Sequence, residues 1–363
     1  MSVKNLVSEF VKEAPPYVVG ADEQSKSMRP GVTKLLQLAT NENPFGTSPK
    51  AAEAICQQAP LANRYPDVRA QDLRKKLAEK HGLSVDEVMV TEGATAGLGF
   101  IAEVFIQPGD EIILTPPTYP SYYNYVKRCR GKLVEVPLEE DTLTPDFNKV
   151  LAAITDKTKA IFLCNPNNPT ATLIDSDELH PLQKTLPEQL LPVVDAAYID
   201  FVEDPNYRTM VDAIADDENL IVVRTFSKLY GMAGARMGYL MANREIIEYL
   251  QRDSTGFCCS RMGLHAAEAA LDDVEFQEMT KKGNQEGREI LVSCMKELGF
   301  RVWPSHTNFI YFDPGVDVKW FADRLLDYGI IIRGNFKANR ISIGTPEEDR
   351  FVCKAMREIM ANR

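Results

Sequence analysis

Long apolar runs and clusters of basic residues are both missing from this chain. Nowhere do roughly eighteen apolar residues follow one another, so we expect no membrane-spanning segment. Acidic side chains outnumber basic ones by 52 to 41, which gives a formal net charge of −11 over 363 residues. This charge disfavours nucleic acids and anionic membranes as partners. The first residues, "MSVKNLVSEFVKEAPPY", alternate in charge and do not resemble a signal peptide, so we expect a cytoplasmic protein.

Cysteine and histidine are scarce, with seven and four residues respectively. The cysteines are odd in number and scattered, which is typical of reduced thiols and not of a disulfide framework. Cys258 and Cys259 are adjacent, but no second cysteine or histidine pair lies at a zinc-like spacing from them. We therefore predict no metal site, and the histidines lie outside any nucleophile motif.

Short apolar stretches that alternate with helical segments dominate the first two thirds of the chain. These stretches are rich in Val, Ile and Leu, and they are "EVMVTEG", "DEIILTPP", "KLVEVPL", "AIFLCNP", "LLPVVDAAY" and "NLIVVRTF". Strands that are apolar on both faces predict an α/β fold with a mostly parallel sheet flanked by helices. Long amphipathic helices and a few more strands then follow. We predict a large domain over residues 41–249 and a smaller α+β domain formed by residues 1–40, an N-terminal arm, with 250–363.

Polar or aromatic residues follow several of these predicted strands. Lys228 follows "NLIVVRTF", Asp195 ends "LLPVV", Asn168 follows "AIFLCNP", Thr95 follows "EVMVTE" and Tyr119 follows "EIILTPP". Ligands bind outside the carboxyl ends of the strands of an open parallel sheet. We therefore expect these side chains to line one site.

The residue types at these strand ends suit pyridoxal phosphate (PLP). This cofactor needs a lysine amine for its attachment and a carboxylate beside its ring nitrogen. Lys228 can supply the amine, and a buried Asp195 would favour a protonated ring nitrogen. Tyr198 and Asn168 can donate hydrogen bonds to the ring oxygen. The sequence therefore predicts Lys228, Asp195 and Tyr198 as catalytic residues.

The stretch "RTFSKLYGMAGARMGY", residues 224–239, can supply the matching phosphate site. Thr225 and Ser227 offer hydroxyl groups, and Arg236 offers a guanidinium. The backbone amides of Ala94 and Thr95, at the start of a predicted helix, are further donors suited to an anion. Together these groups predict a cradle for the cofactor phosphate.

At this point the chain resembles a known family over nearly its whole length. The motifs that carry the resemblance are "TNENPFG", "NRYPD", "TPPTYPSY", "NPNNPT", "VVDAAYIDF", "RTFSKLYGMAGARMGY" and "NRISIGT". In this order and approximate spacing they resemble the fold-type I PLP-dependent aminotransferases, within them the histidinol-phosphate aminotransferase branch. The resemblance implies a PLP-transferase fold, with PLP as cofactor.

The resemblance also implies roles for individual residues. Lys228 would hold the cofactor and move the proton at the substrate α-carbon, and Tyr119 would stack on the cofactor ring. Arg340 would bind the acidic end of the amino donor. Tyr65 of "NRYPD" would reach the cofactor phosphate in the neighbouring subunit, so the resemblance implies a homodimer.

The predicted substrate pocket lies outside the cofactor site. The resemblance places Tyr17 and Arg333 where this branch receives the substrate phosphate, and Asn41 of "TNENPFG" is also predicted to bind substrate. The expected reaction transfers an amino group between histidinol phosphate, or a similar donor, and 2-oxoglutarate in histidine biosynthesis.

Three departures from the family pattern keep other reactions open. Ala171 replaces a glycine beside the cofactor, and its Cβ predicts ordinary backbone angles there. Thr95 stands where an acidic residue is usual, and Cys258 replaces an asparagine near the site. The alternatives are an aromatic amino-acid aminotransferase, or an amino-acid racemase, decarboxylase or β-lyase on the same fold.

Overall fold

A seven-stranded sheet forms the centre of the structure and carries the predicted strands side by side. The computed structural model describes residues 3, 6, 7, 9–13, 29, 32 and 35–363. The strands are β1 (Leu36–Gln37), β2 (Val88–Thr91), β3 (Glu111–Leu114), β4 (Lys132–Glu135), β5 (Thr158–Cys164), β6 (Leu191–Asp195), β7 (Ile221–Thr225), β8 (Gly238–Ala242), β9 (Arg301–Val302), β10 (Phe309–Asp313), β11 (Ile330–Ile331) and β12 (Asn339–Ser342).

The order of the large sheet is β2-β8-β7-β6-β5-β3-β4. β8 runs antiparallel to both its neighbours, and the pairs from β7 through β4 are parallel. Both faces are buried, because in β7 Ile221 and Val223 pack into one apolar cluster and Val222 packs into another. The predicted α/β fold with a mostly parallel sheet is confirmed.

Helices cover this sheet and build the smaller unit. They are α1 (Glu9–Glu13), α2 (Pro49–Gln58), α3 (Gln71–His81), α4 (Gly93–Phe105), α5 (Ser121–Arg128), α6 (Phe147–Ala152), α7 (Ser176–Thr185), α8 (Arg244–Asp253), α9 (Arg261–Leu271), α10 (Val274–Glu297), α11 (Val318–Leu326) and α12 (Pro346–Ala361). Short 3-10 helices lie at Ala59–Leu61, Val85–Glu87, Ile199–Phe201, Met210–Ala213 and Ala233–Ala235. Among the described residues no helix is long and apolar enough to cross a membrane.

The smaller unit is built on the antiparallel sheet β12-β10-β9. Its core contains Phe312 of β10, Phe321 of α11 and Met356 of α12. α12 begins at a capping box. The Thr345 side chain accepts a hydrogen bond from the Glu348 amide, and the Glu348 side chain accepts one from the Thr345 amide. β1 pairs with β11, so the segment at residues 36–37 joins the smaller unit.

The predicted boundary after residue 249 stays a prediction, but the packing favours a later one. α9 packs against α2 and α3, and its Ala266 and Ala267 lie in the same apolar cluster as Leu73 of α3. α8 also packs on the large sheet, through its contacts with α4 and β2. The first helix that belongs to the core of the smaller unit is α10, through Leu291 and Met295.

Candidate active site

A cavity of about 620 Å³ lies at the carboxyl ends of the parallel strands. It brings together thirteen of the fifteen predicted site residues: Asn41, Ala94, Thr95, Tyr119, Asn168, Asp195, Tyr198, Thr225, Ser227, Lys228, Arg236, Arg333 and Arg340. Tyr65 lies outside the cavity lining, and Tyr17 lies outside the described residues. The residues predicted at the strand ends therefore line one cavity, while the role of each residue stays a prediction.

Lys228 lies three residues after β7 and is directed at backbone carbonyl groups. Its Nζ donates to the carbonyl oxygen of Asn41 over 3.0 Å and to that of Thr40 over 3.3 Å. Burial lowers the pKa of the Lys228 amine to about 8, with the positive charge of Arg340 as the second cause. A lowered pKa gives this amine a larger neutral fraction near pH 7 than an ordinary lysine has, which suits a group that must bind covalently and carry protons.

Asp195 ends β6 and is almost fully buried, with 5% of its surface exposed. Its carboxylate accepts hydrogen bonds from the Tyr122 hydroxyl over 2.8 Å and from the Ala197 amide over 3.2 Å. Burial raises the pKa of the Asp195 carboxyl to about 6, although the bond from Tyr122 acts to lower it. Both hydrogen-bond partners are neutral, so a cationic ligand atom beside this carboxylate would be strongly stabilised.

Two further groups line the cavity beside Asp195. The Tyr198 oxygen accepts a hydrogen bond from Nδ2 of Asn41 over 3.0 Å, and its ring packs edge-on against Phe309. The Asn168 side-chain oxygen accepts a hydrogen bond from Arg340, which leaves the amide's donor group for a ligand. A tyrosine O–H and an amide N–H are thus both available to an acceptor in the cavity.

The start of α4 and the loop after β7 form a set of anion-binding groups. The first amides of a helix have no partner within the helix, and here Ala94 and Thr95 line the cavity. Gly93 has φ +80°, and a Cβ there would lie 2.8 Å from Nη2 of Arg236. Only a glycine therefore lets the guanidinium approach the helix start so closely. The Thr225 hydroxyl donates a hydrogen bond to the Ser227 hydroxyl over 3.0 Å, so the two oxygens lie side by side.

Arg333 and Arg340 lie opposite each other in an antiparallel β-bridge of the smaller unit. Each backbone amide donates to the other residue's carbonyl over 2.9 Å. Both side chains also donate to the Ala39 carbonyl, over 2.6 Å from Arg340 and 3.4 Å from Arg333. Two guanidinium groups therefore face the cavity from the same side, and Arg340 is the more deeply buried, with 5% of its surface exposed.

The expectation about Ala171 is wrong. Ala171 has φ +64°, in the left-handed region, and not ordinary angles. Its amide donates to the Asn167 carbonyl over 2.8 Å, so a closed turn imposes the conformation that glycine more often adopts. Its side chain is buried against Tyr198 and Phe309. The Cβ therefore packs behind Tyr198 and does not line the cavity.

Two other predicted positions lie away from the main cavity. Cys258 lines a second cavity of about 300 Å³, together with Arg69 and Arg74. The Tyr65 side chain is 79% exposed, and its ring lies 4.7 Å from that of Phe257. Neither residue contributes to the main cavity of its own chain.

Sequence reasoning missed two residues that hold the site from behind. Tyr122 received no predicted role, yet its hydroxyl donates to Asp195. Its position at the end of "TPPTYPSY", one of the matched motifs, was the available signal. Ser342 was part of a matched motif but received no role, and it makes two hydrogen bonds with Asn41.

Comparison with known proteins places the chain in a family. Residues 33–356 match the family described as aminotransferase class I and II. The histidinol-phosphate aminotransferase of Brevibacillus brevis is 36% identical, over 96% of this chain and 97% of that protein. The histidinol-phosphate aminotransferase of Caldicellulosiruptor saccharolyticus is 33% identical, over 97% and 99%.

Solved structures agree with this assignment. The histidinol-phosphate aminotransferase of Sinorhizobium meliloti, in complex with pyridoxal-5'-phosphate, superposes with a TM-score of 0.90 at 28% identity, covering 98% of each chain. A single mutant of Thermus thermophilus aspartate aminotransferase superposes with a TM-score of 0.86 at 26% identity, covering 98% of this chain and 99% of that one. The predicted fold type and enzyme class are confirmed: the chain belongs to the aminotransferase class I and II family.

Proposed function

We propose that this aminotransferase uses PLP to move an amino group between histidinol phosphate, or a similar amino donor, and 2-oxoglutarate. The observation that carries the proposal is the single cavity that joins Lys228, Asp195 and an anion cradle to two arginines. The named relatives support the substrate, and the Sinorhizobium structure names the same cofactor that the sequence predicted.

The residues present fit PLP. The cradle made by the start of α4, Thr225, Ser227 and Arg236 is suited to the cofactor phosphate, and Gly93 leaves the space that it needs. The buried Asp195 has neutral hydrogen-bond partners and would be stabilised by a protonated ring nitrogen. When bound, PLP supplies an electron sink for the bonds at the substrate α-carbon.

The protein's own groups then control charge and protons. The Lys228 amine, with its lowered pKa, would take the proton from the substrate α-carbon and deliver it to the cofactor carbon to which Lys228 had been joined. Asp195 would stabilise positive charge at the ring nitrogen, while Tyr198 and Asn168 would donate hydrogen bonds to the ring oxygen. Tyr119, which lines the cavity two residues before α5, would cover one face of the ring.

Arg340 and Arg333 are the groups that recognise the donor. Histidinol phosphate carries a phosphate at the end of the molecule remote from its imidazole, and guanidinium groups bind such anions with two parallel hydrogen bonds. Asn41 borders the same side of the cavity, and Tyr17 remains a proposed contact. One observation favours an aromatic amino acid as a second donor class, because Phe336 lines the cavity with its ring 5.8 Å from the Arg340 guanidinium carbon.

We also propose a cytoplasmic homodimer. The exposed Tyr65 and Phe257 rings form an apolar surface that a second copy would cover, and Tyr65 would then reach the partner's cofactor phosphate. The cysteines of the described residues are free thiols, which suits a reducing compartment.

A panel of amino donors incubated with 2-oxoglutarate tests the reaction. We expect glutamate to form, with the largest kcat/KM for histidinol phosphate. A larger kcat/KM for phenylalanine would establish the aromatic alternative. Loss of donor chirality without an oxo product would establish a racemase, and release of carbon dioxide or of a β-substituent would establish a decarboxylase or a β-lyase.

A further inference from the structure

A buried serine fixes the orientation of the asparagine that contacts Tyr198. Ser342 lies at the end of β12 in the smaller unit, and only 2% of its surface is exposed. Its hydroxyl accepts a hydrogen bond from the Asn41 amide over 2.9 Å and donates one to Asn41 Oδ1 over 3.1 Å. The two residues are 301 positions apart in sequence, so this contact exists only in the folded chain.

This pair of bonds determines which end of the Asn41 side chain faces Tyr198. Because Oδ1 accepts the Ser342 proton, Nδ2 is turned the other way and donates to the Tyr198 oxygen over 3.0 Å. Asn41 is itself buried, with φ +55°, a region that asparagine tolerates better than most residues. The backbone conformation and the side-chain orientation of Asn41 are therefore both fixed.

The orientation matters because it decides where the Tyr198 proton points. A hydroxyl group has one proton, and its oxygen here already accepts from Nδ2 of Asn41. The proton is then directed at another acceptor, and Tyr198 lines the cavity. If the amide were reversed, Oδ1 would take the Tyr198 proton, and the tyrosine would no longer donate into the cavity.

We propose that Ser342 is a positioning residue which, through Asn41, makes Tyr198 a hydrogen-bond donor to the ring oxygen of the bound cofactor. This inference depends on the proposed use of PLP. Ser342 is outside the cavity lining, so it acts only through Asn41. Burial also raises the pKa of the Tyr198 hydroxyl, which keeps it protonated and able to donate.

The experiment is a pH titration of the visible absorption band of the enzyme with PLP bound and no substrate present. A donated hydrogen bond stabilises the anionic form of the ring oxygen. Loss of this bond therefore moves the midpoint of the pH-dependent spectral change to higher pH. We expect Ser342→Ala to raise the midpoint by about one pH unit, the size of one hydrogen bond to a charged group. Ser342→Thr, which keeps the hydroxyl, should restore the wild-type midpoint.

Ser48→Ala is the matched control. Ser48 is also fully buried, accepts from a backbone amide, that of Ala51, and donates to a side-chain oxygen, that of Asp273. It lies away from the cavity, so its loss should lower stability without moving the midpoint. In a Tyr198→Phe background, Ser342→Ala should cause no further shift, because both changes remove the same donated bond.

The outcomes separate this inference from the proposed function. Protein that acquires no visible band with PLP overturns both. If Tyr198→Phe moves the midpoint but Ser342→Ala does not, the role of Ser342 is overturned and the proposed function stays intact. If Tyr198→Phe does not move the midpoint, the role of Ser342 is overturned as well. If Ser342→Ala does not fold, Ser342→Gly, which also removes the hydroxyl and keeps Asn41, replaces it: a raised midpoint supports the proposal, and a wild-type midpoint overturns it.

Discussion

The Arg340 guanidinium donates to the side-chain oxygen of Asn168 over 2.5 Å. This bond joins a residue predicted to bind the substrate to one predicted to bind the cofactor. It holds the Asn168 amide so that its N–H groups remain available to a ligand. After burial, the positive charge of the same guanidinium is the second cause of the lowered pKa of the Lys228 amine. An anionic donor that binds Arg340 would therefore act on Asn168 and Lys228, two of the residues proposed to contact the cofactor.

Replacement of Lys228 should slow transamination severely while cofactor binding persists in part. Lys228→Ala removes the covalent attachment and the proton carrier, and the loss of such a group costs about 10²–10⁴ in rate. The phosphate cradle is unchanged, so PLP should still bind without a covalent link. Borohydride reduction followed by peptide mass spectrometry should label Lys228 in the wild type and no lysine in the variant.

Lys80 provides the control for this change. Its amine donates to the Tyr230 hydroxyl over 2.8 Å and does not line the cavity. Lys80→Ala should keep both the label at Lys228 and the wild-type rate. A Lys228→Ala protein that transaminates as fast as the wild type would exclude Lys228 as the catalytic lysine.

Loss of the Asp195 charge should slow the chemical step more than it weakens cofactor binding. Asp195→Asn keeps the shape of the side chain but removes the anion that stabilises a protonated ring nitrogen. We expect the rate of the half-reaction with amino donor to fall by about 10²–10³, as for other buried electrostatic groups. Stopped-flow measurement at saturating donor reports this rate directly.

Tyr122→Phe gives a graded comparison at the same carboxylate. It removes the 2.8 Å hydrogen bond to Asp195 but keeps the charge, so the half-reaction should slow less than in Asp195→Asn. Equal rates in wild type and Asp195→Asn would mean that another group stabilises the ring nitrogen.

The position of the site could be predicted from the sequence, but its supporting hydrogen bonds could not. Asp195 and Lys228 follow apolar strands, and parallel strands bring their ends to one edge whatever the loops do. The contact of Ser342 with Asn41 depends on how the smaller unit packs, and no local pattern encodes it. Ala171 was mispredicted because a turn closed by hydrogen bonds can override the preference of a single residue.

Asp349 should make the protein less stable as the pH rises. It is fully buried in the smaller unit, where its Oδ1 accepts from the Gly344 amide over 2.9 Å. Burial raises the pKa of the Asp349 carboxyl from 3.8 to about 7. Folding favours the protonated form of this carboxyl. Its contribution to the free energy of unfolding is therefore complete below pH 3.8 and is lost as the pH rises through about 7.

Urea unfolding of the cofactor-free protein at pH 5 and pH 8 measures this contribution. Asp349→Asn cannot ionise, so its free energy of unfolding should fall less than that of the wild type between the two pH values. The difference should be on the order of a few kcal/mol. The same fall in both proteins would show that Asp349 ionises normally in the folded state.

Arg333 and Arg340 should separate the possible donors. Arg333→Ala removes a guanidinium that faces the cavity beside Arg340, so it should raise KM for histidinol phosphate about tenfold to a hundredfold. KM for phenylalanine should change far less, since the phenylalanine carboxylate would still meet Arg340. Arg340→Ala should impair every donor, because it also removes the hydrogen bond to Asn168. Steady-state kinetics with both donors on both variants give four comparisons. If Arg333→Ala raises KM equally for the two donors, the phosphate is bound elsewhere and Arg333 is not its recognition residue.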